Sequence, residues 1–232
     1  MVFPCYNESP IFEDSVNRIS RYLGGTRLDY EVIFVEDRSA DNTKELIQKA
    51  VKKNRRFRAI YHEKNTGRGG CVADGFRAAN GEVVGYLDID LEIAPSYVLE
   101  MYAAVKNGSD AVCAVRSYEF TVKNFFRNFL HFVYLVFSKF LLALPVSDPN
   151  AGCKFFDRKK ILPILGRAVD THWFWDTEIV KRAQLAGLKV TEIPVLYVAN
   201  TKKKSSVRVF SDTLHFVSRV LWLKKELREV RK

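Results

Sequence analysis

The first half of the chain alternates short, continuous apolar runs with segments of helical periodicity. Runs that are apolar throughout and are separated by helices indicate a parallel sheet that is covered on both faces. The pattern therefore predicts an α/β fold with a mostly parallel central sheet flanked by helices. Strands are expected at 30–35, 57–61 and 83–87, and helices at 41–51, with Asp41 as N-cap, at 72–79, and at 95–105, with Pro95 in the first turn.

The second half is less regular and contains two helical segments with broad apolar faces. Residues 124–144 are apolar almost all round but are interrupted by polar residues, so we expect a partly buried or interfacial helix rather than a membrane span. Residues 207–230 are amphipathic, with an apolar face that covers about half of the circumference. Further strands are expected at 110–115 and 152–156, and a further helix at 176–186.

The positive charge of the chain is concentrated in the same two segments. The net charge is +10; residues 121–145 contain three Lys or Arg and no acid, and residues 202–232 contain ten against three acids. Basic charge beside large apolar residues favours an anionic membrane surface over nucleic acid as the partner. The alternative is that both apolar stripes face the core and the charges are a solvated rim, and composition alone favours neither.

Length and cysteine usage set the broad class. A chain of 232 residues with 47% hydrophobic residues is expected to form a single domain over 1–232. The four cysteines are far apart and form no Cys-x-x-Cys pair, which favours a reducing cytosol over a disulfide framework or a zinc site. No signal peptide is expected before Pro4.

Three acidic residues follow the strand at 83–87, in the segment Tyr86-Leu-Asp-Ile-Asp-Leu-Glu92. On a strand, Asp88, Asp90 and Glu92 would point to the same side. Converging carboxylates repel each other unless a cation lies between them, and Mg²⁺ or Mn²⁺ prefers such oxygen ligands together with substrate phosphates. The alternative is an acidic surface loop.

Three other polar clusters also follow strand-like runs, where parallel sheets bind their ligands. The turn at 65–70 contains three glycines and Arg68, which suits an anion near a helix start, although it matches neither the Rossmann nor the Walker spacing. The segments Phe3-Pro-Cys-Tyr-Asn-Glu8 and Val35-Glu-Asp-Arg-Ser-Ala-Asp41 complete the set. Taken singly, each of the three could be a structural turn.

Together, and in this order, the four motifs resemble glycosyltransferase family 2, whose catalytic domain has the GT-A fold. Two later segments extend the resemblance over nearly the whole chain, at 148–156 and at 172–195. They are similar to the polyprenyl-phosphate hexosyltransferase subgroup, which includes dolichyl-phosphate glucose and mannose synthases. The chain departs from the family at the acidic turn, where Arg38 replaces a glycine, and within the later segments, where Lys154 stands in place of an arginine.

The resemblance implies a role for each matching residue. The nucleotide would be bound by Pro4, Tyr6, Glu8, Glu36, Asp37, Arg68, Asp88 and Arg208. The divalent metal, Mg²⁺ or Mn²⁺, would be held by Asp88, Asp90 and Glu92. The acceptor phosphate would be met by Arg116, Lys154 and Asp148, and a loop that carries Ser205 and Ser206 would close over the donor. The residues implied in catalysis are Asp88, Asp90, Glu92, Arg116 and Lys154.

The implied reaction is an inverting, metal-dependent transfer of glucose or mannose from a UDP- or GDP-sugar to a dolichyl-type polyprenyl phosphate. A phosphate acceptor is largely dianionic near neutral pH and needs no strong general base. The enzyme would lie peripherally on the cytoplasmic face of a membrane, with helices at about 121–145 and 205–232 facing the lipid.

Three alternatives remain open. A soluble glycosyltransferase acting on a saccharide or protein hydroxyl would need Asp176 or Glu178 as its base. A non-catalytic nucleotide- or lipid-binding protein would have no reason to keep all three acids of the 88–92 segment. A nucleic-acid-binding protein is disfavoured, because the charge accompanies apolar residues and no recognition motif is visible. His172 is expected as a packed or hydrogen-bonded core residue.

Overall fold

The structure is a computed structural model that describes residues 1–118, 138–200 and 209–229. The expected helix at 124–144 therefore lies mostly outside the described residues, and of its described part, 138–144, only residues 138–142 are helical. Arg208, Ser205 and Ser206 also lie outside, so the roles expected for them stay predictions.

One seven-stranded sheet organises the described part of the chain, in the order β3-β2-β1-β4-β6-β5-β7. All pairings are parallel except those of β6, which runs antiparallel to both of its neighbours. The expected mostly parallel α/β sheet is confirmed. The strands are β1 (Val2–Cys5), β2 (Val32–Glu36), β3 (Phe57–Tyr61), β4 (Val83–Leu87), β5 (Ala111–Tyr118), β6 (Cys153–Asp157) and β7 (Val190–Tyr197).

Helices cover both faces of this sheet, because successive residues of its strands point to opposite sides. In β1, Phe3 packs into the core beneath α1, α2 and α4, whereas Val2 packs into the core beneath α3, α5 and α6. Two cores on opposite faces explain why the strands are apolar throughout. The helices are α1 (Phe12–Gly24), α2 (Thr43–Lys53), α3 (Arg68–Ala78), α4 (Tyr97–Lys106), α5 (Arg158–Leu165), α6 (Trp175–Leu185) and α7 (Val209–Glu229).

Three expected helix starts need correction, and the largest shift is in α3, which begins at Arg68 and not at residue 72. Helix α2 begins at Thr43 after Asn42, so Asp41 is not its N-cap, although the Asp41 carboxylate accepts a hydrogen bond from the Thr43 amide at 3.0 Å. Helix α4 begins at Tyr97, so Pro95 precedes the first turn, and its carbonyl accepts from the Val98 amide at 3.1 Å. In α2 and α4 the expected residue satisfies an amide of the first turn from just outside the helix.

The apolar face of helix α7 consists of two adjacent rows of side chains, and one of these rows packs on the protein. Val220 and Leu223 are fully buried in a small core with Leu142, Leu144 and Phe174. Leu221, on the adjacent row, is 51% exposed, and Phe140 near the same core is 88% exposed. One row of α7 is thus core, as the second interpretation expects, and the contact with a membrane stays a prediction. Among the described helices, none is long and apolar enough to cross a membrane.

Candidate active site

The loops after β1 and β2 are tied together at the carboxyl edge of the sheet. Ser39 Oγ accepts from the Asn7 amide at 3.0 Å, and Asn7 Oδ1 accepts from the Ala40 amide at 2.8 Å. Asn7 and Arg38 both have positive φ, of 55° and 64°, a region that favours glycine. Arg38 thus stands in the conformation that suits the glycine of the family's acidic turn.

Asp37 is a buried anchor for the glycine-rich turn. Its carboxylate accepts from the Thr66 and Gly67 amides at 2.8 and 2.9 Å, and lies 2.8 Å from His62 Nδ1. Burial alone would raise the pKa of Asp37, but these hydrogen bonds hold it below its ordinary value. With Asp37 2% exposed, its carboxylate positions the turn and does not present itself to a nucleotide base.

Of the other residues expected around the nucleoside, one is exposed. Tyr6 is 45% exposed directly after β1, where an aromatic ring could stack on a base. Pro4 is buried within β1, and Glu8 and Glu36 are buried at 7% and 2% exposure. Glu36 accepts from the Ser39 amide at 2.5 Å, so it shapes the acidic turn from beneath.

Asp37, His62 and Cys71 bring three possible metal-ligand atoms within 4.8 Å of one another, and no other such set occurs in the described parts of the chain. Motif spacing does not indicate this set, because the three residues have no metal-binding spacing. His62 Nδ1 also lies 2.9 Å from Thr66 Oγ1 and 3.9 Å from Cys71 Sγ. Burial raises the pKa of the Cys71 thiol strongly, so the thiol stays protonated and the set is a hydrogen-bonded network.

The acidic segment is a turn and not a strand, because β4 ends at Leu87. The strand alternation expected for Asp88, Asp90 and Glu92 is therefore wrong as to backbone. Burial nevertheless alternates, with Ile89 and Leu91 in the core and the three acids partly exposed. Asp88 and Glu92 are near enough to Asp90 to raise its pKa, but the three acids do not gather within 4.8 Å of one another.

Asp90 lies in an excess of negative charge. Burial first, and then the carboxylates of Asp88, Glu92 and Glu8, raise the pKa of Asp90 to about 7. A divalent cation would relieve this repulsion, and carboxylate oxygens are the ligands that Mg²⁺ and Mn²⁺ prefer. The residues present thus fit the metal that the sequence implied.

Arg68 connects the acidic turn to the buried part of the site. It is the first residue of α3, and its guanidinium forms a fork on Asp88, with Nε–Oδ1 at 2.8 Å and Nη2–Oδ2 at 3.0 Å. Its Nη1 donates to Asp176, and its guanidinium lies 5.0 Å from the Tyr86 ring and 5.3 Å from the exposed ring of Trp173. Arg68 therefore lies beside the candidate metal ligands. Its expected contact with the nucleotide stays a prediction.

Two glycines make this arrangement possible. Gly67 has a φ of 87°, and a Cβ there would lie 2.2 Å from His172 Nδ1. A Cβ on Gly152 would lie 2.0 Å from Asp88 Oδ2. The loop that contains Gly152 thus has to pass directly against the carboxylate that receives the Arg68 fork.

Lys154 and Asp176 form the buried base of the site. The Lys154 amine is fully buried and donates to Tyr86 Oη at 2.9 Å, to the Ala151 carbonyl at 2.7 Å and to Asp176 at 3.2 Å. Burial would raise the pKa of Asp176, but Arg68 and Lys154 hold it below its ordinary value. In this structure the amine does not reach the surface, and its expected contact with an acceptor phosphate stays a prediction.

The two candidate bases are both enclosed. Asp176 is 1% exposed between its cations, and Glu178 is fully buried, where it accepts from the Val169 and Asp170 amides and from Arg182. In this arrangement neither carboxylate faces a substrate. His172 differs from expectation in the other direction, since it is exposed and not part of the core.

Arg116 is held by Asp148. Its Nε and Nη2 contact the two Asp148 oxygens at 2.7 and 2.9 Å, and its amide donates to Asp148 at 3.2 Å. Asp148 is buried at 3% exposure, whereas the Arg116 side chain is 16% exposed. Asp148 therefore orients the guanidinium, and of the expected acceptor-phosphate residues Arg116 is the one that reaches the surface among those described.

Comparison with known sequences identifies related proteins. The sequence model described as Glycosyl transferase family 2 matches residues 1–163. Glycosyltransferase AglD of Haloferax volcanii is 30% identical over 95% of this chain and 36% of its own length. A dolichyl-phosphate beta-glucosyltransferase of Dictyostelium discoideum is 26% identical over 84% of this chain and 64% of its own length. A dolichol-phosphate mannosyltransferase of Pyrococcus furiosus is 28% identical over 96% of this chain and 63% of its own length. The chain thus spans less than two thirds of each relative.

Solved structures with the same fold include two glycosyltransferase complexes. Glucosyl-3-phosphoglycerate synthase from Mycobacterium tuberculosis, with Mn²⁺, UDP and glucosyl-3-phosphoglycerate, gives a TM-score of 0.71 at 16% identity, over 96% of this chain and 78% of that one. The mannosyltransferase PcManGT from Pyrobaculum calidifontis, with GDP-Man and Mn²⁺, gives a TM-score of 0.60 at 20% identity, over 88% of this chain and 57% of that one. At these identities the likeness shows the fold.

Proposed function

Because the chain belongs to glycosyltransferase family 2 and has the GT-A fold, we propose that it transfers a hexose from a nucleotide-sugar to a polyprenyl phosphate. The observation that carries this proposal is the acidic turn after β4, where Asp90 has its pKa raised by burial and by three neighbouring carboxylates. We take residues 1–232 as one catalytic domain.

The donor site lies at the carboxyl edge of β1, β2 and β4. Tyr6 stacks on the base, and Asp88, Asp90 and Glu92 hold the divalent ion, which neutralises the departing nucleoside diphosphate. Glu8, Glu36 and Asp37 support these loops from beneath. Mg²⁺ and Mn²⁺ both suit the oxygen ligands, and the solved relatives named above contain Mn²⁺ with UDP or GDP-Man.

A phosphate acceptor suits the site because the two candidate bases are enclosed. Asp176 and Glu178 are buried and paired with cations, whereas a hydroxyl acceptor would need a carboxylate within hydrogen-bond reach. A phosphate brings its own nucleophilic oxygen and needs cations that align it, which is the role of Arg116 in its Asp148 clamp. The reaction then inverts the anomeric carbon in one displacement.

The acceptor is lipid-linked, and the enzyme works at an anionic membrane surface on its cytoplasmic side. Two relatives carry dolichyl or dolichol phosphate in their names. The exposed Phe140 and Leu221 lie near one small core, and Lys224, Lys225 and Arg228 stand on the same helix as Leu221. Apolar side chains flanked by basic ones suit an interfacial contact with anionic lipid.

Metal-dependent transfer tests the donor half of the proposal. Purified protein is supplied with polyprenyl phosphate and with radiolabelled UDP-glucose or GDP-mannose, in Mg²⁺, in Mn²⁺ or in excess chelator. We expect lipid-extractable label with one donor, none in chelator, and a loss of at least about 10²-fold for Asp90→Ala. Glu82→Ala, an exposed acid before the same strand, is the matched control and keeps full transfer. Undiminished transfer in chelator would refute the assignment.

A further inference from the structure

The Arg68 guanidinium supplies the positive charge that faces the Asp88 carboxylate in this structure. The two Asp88 oxygens each face one guanidinium nitrogen, at 2.8 and 3.0 Å, and the Arg68 side chain is only 10% exposed. A metal that uses Asp88 has either to share these oxygens or to displace the fork. In both cases it meets a positive charge at close range.

The fork is fixed from behind by buried partners. Arg68 Nη1 donates to Asp176, and the other Asp176 oxygen accepts from Lys154 and from Tyr86 Oη. Two cations and two carboxylates thus form a closed set with no net charge: Arg68, Lys154, Asp88 and Asp176. The position of Arg68 is therefore fixed by a hydrogen-bonded set whose members lie on or next to β4, β6 and α6, and not by a mobile surface contact.

We propose, as an extension that rests on the proposed function, that Arg68 couples metal binding to donor binding. Without a nucleotide, its charge neutralises Asp88 and keeps the affinity for a free divalent ion low. A nucleoside diphosphate brings negative charge of its own, so the guanidinium then attracts the ligand that arrives with the metal. Arg68 is in this account a positioning and coupling residue, and it makes the metal enter with the donor.

Opposite shifts in two affinities are the signature of this coupling. For Arg68→Met we expect free Mn²⁺ to bind about fivefold more tightly, because the competing charge is gone, and a nucleoside diphosphate with Mn²⁺ to bind about tenfold more weakly. A purely structural role would weaken both. Arg68→Lys keeps the charge but not the fork, so free Mn²⁺ should bind as to the wild type, with an intermediate loss for the nucleotide.

The measurement is Mn²⁺ titration followed by electron paramagnetic resonance, and UDP or GDP titration by calorimetry at saturating Mn²⁺. Arg77→Met is the matched control, since Arg77 is an exposed arginine at the other end of α3 that pairs with Asp74. It should change neither affinity. Circular dichroism checks that each variant is folded. If Arg68→Met does not fold, Arg68→Lys still tests the coupling.

The outcomes separate this inference from the proposed function. If the wild type binds neither UDP nor GDP with Mn²⁺, the proposed function fails. If the wild type binds one of them, and folded Arg68→Met binds free Mn²⁺ as weakly as or more weakly than the wild type, the coupling is refuted while the function stands. Arg68→Lys binding free Mn²⁺ more tightly than the wild type would also overturn it.

Discussion

Asp90 ionises unfavourably in the folded protein, because burial and the carboxylates of Asp88, Glu92 and Glu8 raise its pKa to about 7. The unfolded chain releases this proton near pH 4, so between about pH 4 and 7 the folded state binds more protons than the unfolded state. Stability from this group is therefore lost as the pH rises through that window. A metal site in its empty form is expected to behave in this way.

Asp90→Asn should remove this penalty in metal-free buffer. At pH 4 the variant and the wild type are expected to have similar free energies of unfolding, and at pH 8 the variant should be more stable by on the order of 2 kcal/mol. Urea unfolding at both pH values measures the difference. Equal stability at pH 8 would mean that neither burial nor the neighbouring carboxylates oppose the ionisation of Asp90.

Gly152→Ala should damage the metal site without replacing a ligand. The new Cβ would lie 2.0 Å from Asp88 Oδ2, so the carboxylate has to leave its place and its Arg68 fork. We expect nucleoside diphosphate binding in Mn²⁺ to weaken by about tenfold or more, measured by calorimetry. Gly166→Ala is the control, because a Cβ there meets nothing within 4 Å. Unchanged binding by Gly152→Ala would show that Asp88 need not stay where it is.

At the scale of elements, helix α7 has two apolar rows with different expected roles. Leu223→Ala removes a fully buried side chain and should cost about 2–4 kcal/mol of unfolding free energy. Leu221→Ala changes a side chain that is 51% exposed and should stay within about 0.5 kcal/mol. Chemical denaturation of the two variants compares adjacent rows of one helix directly. Similar losses for both would mean that α7 packs with a different face.

Sequence periodicity located most elements, because strands buried on both faces and helices with one buried stripe leave clear patterns. The strands at 57–61 and 83–87 were placed as the structure has them. The acidic segment was not, since apolar residues that alternate with acids predict a strand whether the backbone pairs or turns. Here the positive φ of 53° at Leu91 shows the turn, and local sequence does not encode it.

The expected site residues Arg68, Asp88 and Lys154 come together around Asp176, and Asp37 holds the turn before Arg68. Their expected roles stay predictions, and motif order does not indicate which of them are enclosed. Lys154 and Asp37 became supports because residues distant in sequence, such as Asp176 and Thr66, satisfy them. Such pairing depends on the tertiary arrangement, which motif spacing does not specify.

At the scale of the whole molecule, the exposed apolar side chains near the small core of α7 form the proposed contact with a membrane that contains the acceptor. The double variant Phe140→Ser, Leu221→Ser should weaken flotation with anionic liposomes several-fold while leaving stability nearly unchanged, because both side chains are exposed. Leu99→Ser, which changes an exposed apolar residue on α4 at the other face of the sheet, is the control. Unchanged flotation of the double variant would place the membrane contact on another surface.

Transfer to a phosphate without a protein base is tested by a comparison of two acceptors. Purified protein receives labelled donor and metal with either dolichyl phosphate or dolichol, and the initial rate of label entering lipid is measured for the wild type. We expect a product with dolichyl phosphate and none with dolichol. Transfer to dolichol at a rate equal to that with dolichyl phosphate would mean that a group of the protein activates the hydroxyl.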